Sequence, residues 1–85
     1  MIEESEAREL AAEFAKGYSL EMEFAIIPRP PVRRGDTAYF GCQSATFLRT
    51  RNWRDMAVGG GPVAVNLVTG ECRMLGADEA ADMEL

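Results

Sequence analysis

The sequence predicts an α+β fold, an N-terminal amphipathic helix packed on one face of an antiparallel sheet of four to five strands. Three observations predict it. Apolar residues recur at helical spacing over residues 4–16, they alternate with polar ones from Leu20 onward, and Thr69-Gly70 separates two alternating runs near the end. Eighty-five residues make one domain, 1–85. A chain of that size buries roughly 60–65% of its unfolded surface, enough for one thin core and too little for a deep internal cleft. A function carried on the surface is therefore expected.

Ala7, Leu10, Ala11, Phe14 and Tyr18 share one side of the first element, while Glu6, Glu9, Glu13 and Lys16 fall on the other. Glutamates crowd the first turn and Lys16 sits in the last, where the helix dipole favours each, and Gly17 is placed as a left-handed stop. The glutamate run reads as a solvated helix face. From Leu20 the period changes to two, with Leu20, Met22, Phe24 and Ile26 opposite Glu21, Glu23 and Ala25, a first strand at about 20–27. Pro28-Arg29-Pro30-Pro31 ends it. These four residues also fit a P-x-x-P ligand, but a stiff loop between strands accounts for them with less.

Arg33-Arg34-Gly35-Asp36 reads as a turn into a second strand at about 36–42, rich in β-branched and aromatic residues. After a break at Gln43-Ser44, the alternation of Ala45, Phe47 and Arg49 with Thr46 and Leu48 suggests a short edge strand at about 44–49. A polar loop containing Trp53 follows. Gly59, Gly60 and Gly61 form a turn that releases the chain at Pro62 into a strand at about 62–68, and the Thr69-Gly70 turn returns it as a strand at about 71–76. Residues 77–85 read as a short acidic tail. The sheet order is expected to follow the chain, with all neighbours antiparallel.

Charge is segregated. Residues 1–24 carry seven glutamates against Arg8 and Lys16, net −5; residues 25–54 carry six arginines against Asp36, net +5; and residues 55–85 return to −5, the value of the whole chain. A net negative protein is repelled by phosphates, so no nucleic-acid partner is expected. No apolar run reaches the roughly 18 residues of a membrane span, and Met1 leads directly into acidic residues rather than a basic signal-peptide start, so no membrane association and a cytoplasmic location are expected. Cys42 and Cys72 then read as free thiols.

The chain contains no histidine, which removes the commonest general base and the usual activator of a serine or cysteine nucleophile. Two cysteines thirty positions apart cannot supply the roughly four ligands of a zinc site. The glycine run is followed by a proline-led strand rather than a helix with Lys-Ser/Thr, so it is no phosphate loop. No enzyme, metal or cofactor is expected. For a binding role the candidates are Arg49, Arg51, Trp53 and Arg54, residue types that supply interface anchors, on a segment too polar for core. Trp53 has two readings: an anchor for a partner, or a packing lid folded back over the glycine turn with its indole N–H bonded locally.

Taken together, the glutamate-rich helix, a strand ending in I-I-P, the G-D-x-x-Y-F-x-x-Q-S-A-x-x-L segment, the G-G-G-P-V-x-V strand and the T-G-E turn before M-L-G resemble the immunity protein 35 family, also called YrhB-like domains. The likeness runs from about Glu4 to Gly76. Its most specific pieces are Gln43-Ser44-Ala45 with Leu48, Gly59 to Val63, and Thr69-Gly70-Glu71. The chain departs from the family pattern at Ala38, where a tryptophan usually stands, and at Gly60, often asparagine. The resemblance implies a small cytosolic bacterial protein with a helix on an antiparallel sheet, acting mainly as an immunity protein that neutralises the toxin of a polymorphic toxin system by direct binding. It also implies an alternative, a chaperone-like or accessory binding domain without a toxin partner.

Overall fold

A computed structural model describes residues 1–20, 22–56 and 60–85. The fold is α+β. Helix α1 (Glu4–Lys16) precedes strands β1 (Phe24–Ile26), β2 (Val32–Arg34), β3 (Thr37–Phe40) and β4 (Cys42–Ser44). Helix α2 (Ala45–Thr50), a 3₁₀ turn (Trp53–Asp55), β5 (Gly60–Asn66), β6 (Cys72–Gly76) and helix α3 (Ala77–Asp82) complete it.

All strand pairs are antiparallel, in two sheets of order β2-β3-β5-β6 and β1-β4. The two sheets are linked by the chain, which carries β1 into β2 and β3 into β4. Phe24 pairs with Ser44 and Ile26 with Cys42, whereas Val32 pairs with Tyr39 and Arg34 with Thr37. The segment β1 to β2 therefore runs beside β3 to β4, and the pairing is interrupted where Ile27 to Pro31 stand opposite Phe40 and Gly41. Proline cannot donate to a ladder, so the chain bulges outward there and the ladder resumes beyond it. The proline run thus lies in the connection between β1 and β2, and a bond from Ile27 N–H to the Gly41 carbonyl, 2.8 Å, closes its near side.

Helix α1 covers the face made by Ala38, Phe40, Val63 and Val65, all buried. Its contact stripe is Ala7, Ala11 and Ala15, every fourth residue and each fully buried, because methyl side chains let the helix backbone approach the sheet closely. Leu10 and Phe14 flank that stripe, half-buried. Tyr18 is about half exposed, tilted against Phe14 at 5.8 Å and edge-on at 6.1 Å to Phe24. Phe40, Leu75, Val63 and Val65 are the largest fully buried side chains, each contributing about 1.5–3 kcal/mol of burial free energy.

Several boundaries differ from the sequence expectation. The first strand begins at Phe24, not residue 20; Leu20 is 106% exposed, and only Phe24 and Ile26 of its apolar stripe reach the core, while Glu21 lies outside the described residues. The second expected strand is divided at Gly41 into β3 and β4. Residues 45–50 are helix rather than the edge strand expected at 44–49: the Ser44 hydroxyl accepts from the Phe47 N–H at 3.3 Å and caps a helix that the alternation concealed. Val32–Arg34, read as loop and turn, is a strand with no buried residue, and the turn proper is at Gly35, φ 61°. Gly60 and Gly61 are strand residues of β5 rather than a turn, so the strand expected from Pro62 begins two residues earlier, and Gly59 lies outside the described residues. Leu67 and Val68 have left the ladder, and the Thr69-Gly70 turn holds as expected, with Gly70 at φ 85° and its N–H bonded to the Asn66 carbonyl at 2.7 Å. Gly17 ends α1 at φ −95°, so the stop is not left-handed.

The expected acidic tail forms α3. Ala80 is buried against the face of β5 and β6 opposite α1, and Glu79 pairs with Arg73 of β6 at 2.9 Å. That guanidinium holds the Glu79 carboxyl below the usual carboxylate range. Among the described residues no helix is long and apolar enough to cross a membrane.

Candidate functional site

The four sequence candidates lie on one short unit, α2 and the 3₁₀ turn that follows it. Local hydrogen bonds account for its shape. Ser44, 2% exposed, anchors its start by capping α2. Arg51 closes the helix in the left-handed region, φ 59°, with its N–H on the Phe47 carbonyl at 2.7 Å. Asn52 then caps the 3₁₀ turn, its Oδ1 accepting from the Arg54 N–H at 3.1 Å.

Thr50 links the two pieces. Its hydroxyl lies 2.8 Å from Asp55 Oδ2 and 3.1 Å from the Thr46 carbonyl, and it accepts the Asn52 N–H at 3.2 Å. The Asp55 carboxylate is thus engaged by a hydroxyl and not by an arginine.

Trp53 is 74% exposed, so most of its ring is in solvent, and the glycine turn of the lid reading lies partly outside the described residues. The Arg54 guanidinium lies 5.6 Å from the centre of the Trp53 ring, and that of Arg51 lies 6.0 Å from Phe47. Such stacking orients both cations without consuming their hydrogen-bond donors. Arg49 is exposed in the last turn of α2. Among the described residues none of these three guanidiniums is within salt-bridge reach of a carboxylate; Arg73 with Glu79 is the only ion pair. The unit is consequently a preshaped projection with an exposed indole and unneutralised positive charge.

The remaining candidates are structural. Gly61 is buried in β5, and an added Cβ would stand 2.4 Å from the Leu75 carbonyl oxygen, so glycine is required there by the close approach of β6 and not by a positive φ. Pro62 falls within the register shift between Gly60 and Val63, where a missing N–H costs no ladder bond.

Sequence reasoning missed Arg8. From α1 its Nη1 donates to the Ile27 carbonyl at 3.3 Å and its Nη2 to that of Arg29, while its guanidinium lies 5.2 Å from the centre of the Phe40 ring. No local pattern announces it, because its acceptors are main-chain groups 19 and 21 residues away.

Cys42 and Cys72 are free. Burial raises both thiols above their usual range, and the Cys42 thiol donates to the Gly61 carbonyl at 3.2 Å. A protonated thiol is a poor nucleophile, which fits packing rather than reactivity. Among the described residues no three side chains of ligating type converge on a metal site. The chain matches no protein-family model, no curated protein and no solved structure.

Proposed function

We propose that the chain is a binding protein of the immunity type, which neutralises a cognate toxin by direct contact through the α2 projection. The observation that carries this is Trp53, a large apolar side chain left 74% exposed on a segment braced by its own hydrogen bonds. A rigid aromatic flanked by arginines is the composition of an interface anchor, and holding it in place beforehand lowers the ordering cost of binding. The free guanidiniums favour a partner with an acidic rim around an apolar slot. The resemblance to immunity protein 35 supplies the toxin as partner, a bacterial cytoplasm as the setting, and an absence of catalysis.

Co-expression with the product of the neighbouring gene, purified on a tag carried by that product, tests the reading. The parent chain co-elutes and relieves the product's toxicity, and Trp53→Ala does neither while remaining folded. Failure of the parent to bind that product sinks it.

A chaperone-like role is favoured by a different observation, the exposed Tyr18, Leu20 and Met22 at the entry to β1. It predicts suppression of aggregation of a heat-unfolded client, lost with Leu20→Ser and unchanged with Trp53→Ala.

A further inference from the structure

Among the described residues strand β1 has a free edge, and the phase of its hydrogen bonding shows which groups lie along it. The Ala45 N–H bonds the Glu23 carbonyl at 2.9 Å, and the Ile27 N–H bonds that of Gly41 at 2.8 Å. Bonded and non-bonded pairs alternate in an antiparallel ladder, so Ala25 with Gln43 is the bonded pair between them. Phe24 and Ile26 therefore direct their N–H and C=O groups away from β4. Ser44 fits the same phase, since its N–H turns from β1 to the Gln43 side chain at 2.8 Å. Among the described residues four main-chain groups are left on the outer edge of a half-buried strand.

That edge borders a groove of about 470 Å³, walled on the other side by Arg8, Ala12 and Lys16 of α1 and bounded by Glu23 and Pro28. The three helix residues are spaced by four and so form one row beside the buried alanine stripe. Ala12 is small, which keeps the groove open. Arg8 and Lys16 have no carboxylate within salt-bridge reach among the described residues, and Glu23 is the only acid in the lining.

We propose that this groove takes an extended acidic peptide segment of a partner protein, added to β1 as a further strand. The free main-chain groups of Phe24 and Ile26 demand a ligand that presents a backbone at strand spacing, and the cationic helix wall selects its side chains. Pro28 limits the added strand to about three residues, some 10 Å, at the usual strand rise. This docking is independent of Trp53.

The test uses the full chain, labelled for amide exchange, and two capped seven-residue peptides that alternate valine with glutamate or valine with lysine. The glutamate peptide should bind saturably and slow exchange at Phe24 and Ile26, leaving Ala25, already in the ladder, unchanged. The lysine peptide should bind at least about tenfold more weakly. Lys16→Glu should narrow or invert that preference, and Ala12→Phe, a substitution on the exposed side of α1, should fill the groove and abolish binding without lowering the melting temperature. The proposal is overturned by an absence of saturable binding at millimolar glutamate peptide, by equal binding of both peptides, or by protection at the free edge of β6 instead. Concentration-dependent self-association protecting Phe24 and Ile26 would also overturn it, because a second copy would then be the occupant.

Discussion

The Arg8 guanidinium lies 5.2 Å over the Phe40 ring while donating to the carbonyls of Ile27 and Arg29, so one side chain of the helix joins the sheet core to the proline bulge. The bulge needs such a partner. Its prolines contribute no donors, so α1 supplies a hydrogen bond to the Arg29 carbonyl and a second one to that of Ile27, which also accepts the Arg29 N–H at 2.8 Å.

Arg8→Ala should therefore destabilise the fold by about 2–3 kcal/mol, from two charge-assisted hydrogen bonds and one cation–π contact. Arg8→Lys should recover less than half, because an ammonium cannot span both carbonyls and lie flat on the ring. Urea unfolding of the three proteins checks this. Equal midpoints for parent and alanine variant would show that the bulge stands without the helix.

Gly61→Ala should cost about 2–4 kcal/mol. The added methyl meets the Leu75 carbonyl at 2.4 Å, and backbone cannot move aside as a side chain tip does, so β6 must separate from β5 or the bulge must shift. Amide exchange should quicken along β6 while β1 and β4 hardly change. Unaltered exchange along β6 would remove the close-approach explanation.

The cysteine thiols give a pH dependence of definite sign. Burial raises both, so the folded state holds these protons more tightly than the unfolded chain does. Their contribution to stability is complete below the unfolded thiol value of about 8.5 and is lost as pH rises through the folded values. The parent should lose stability more steeply above that pH than a Cys42→Ala, Cys72→Ala variant. Native mass should correspond to two reduced thiols, and a mass two hydrogens lighter would contradict the free assignment.

How far the fold was legible depended on whether a segment carried its own periodicity. Helix α1 did, since its alanine stripe and glutamate face repeat over thirteen residues. Helix α2 is only six residues, and Ala45, Phe47 and Arg49 suit a strand as well as a helix; the deciding feature was the Ser44 hydroxyl acting as a cap. Strand β2 buries no residue, so it had no alternation to show and exists because β3 offers it a ladder. Helix α3 looked like solvated acid, and the contact that fixes it, Ala80 buried on the sheet, is tertiary. At the candidate site, the residue types and their segment were readable. The exposure of Trp53 and the engagement of Asp55 by Thr50, which leaves the arginines free, were not, because they depend on how the chain turns back at Arg51.

Trp53→Ala should leave the melting temperature within about 1 °C of the parent, since the truncated side chain is mostly in solvent. Affinity for the cognate partner should fall by about 2 kcal/mol or more. Ser44→Ala provides the contrast, costing about 1–2 kcal/mol of stability through loss of a buried cap. Titration calorimetry beside thermal melts separates the two. If Trp53→Ala binds as tightly as the parent, the projection is not the anchor.

Arg51 offers the sharpest separation of stability from binding, because it occupies a backbone conformation that glycine adopts more readily. At φ 59° a side chain costs about 1–2 kcal/mol, whereas glycine there gives up only the roughly 0.5–1 kcal/mol of its greater freedom in the unfolded chain. Arg51→Gly should thus be neutral or stabilising by up to about 1 kcal/mol, even after its exposed stacking on Phe47 is lost. A position that keeps arginine at such a cost fits strain held at a working surface. Partner affinity should fall in the same variant, and Arg51→Glu should in addition slow association and reverse its salt dependence against an acidic rim. Two measurements decide the matter, the unfolding free energy and the association rate at two salt concentrations. An Arg51→Gly protein that is less stable by more than 1 kcal/mol would mean that arginine is retained for the fold. One that binds unchanged would remove Arg51 from the interface.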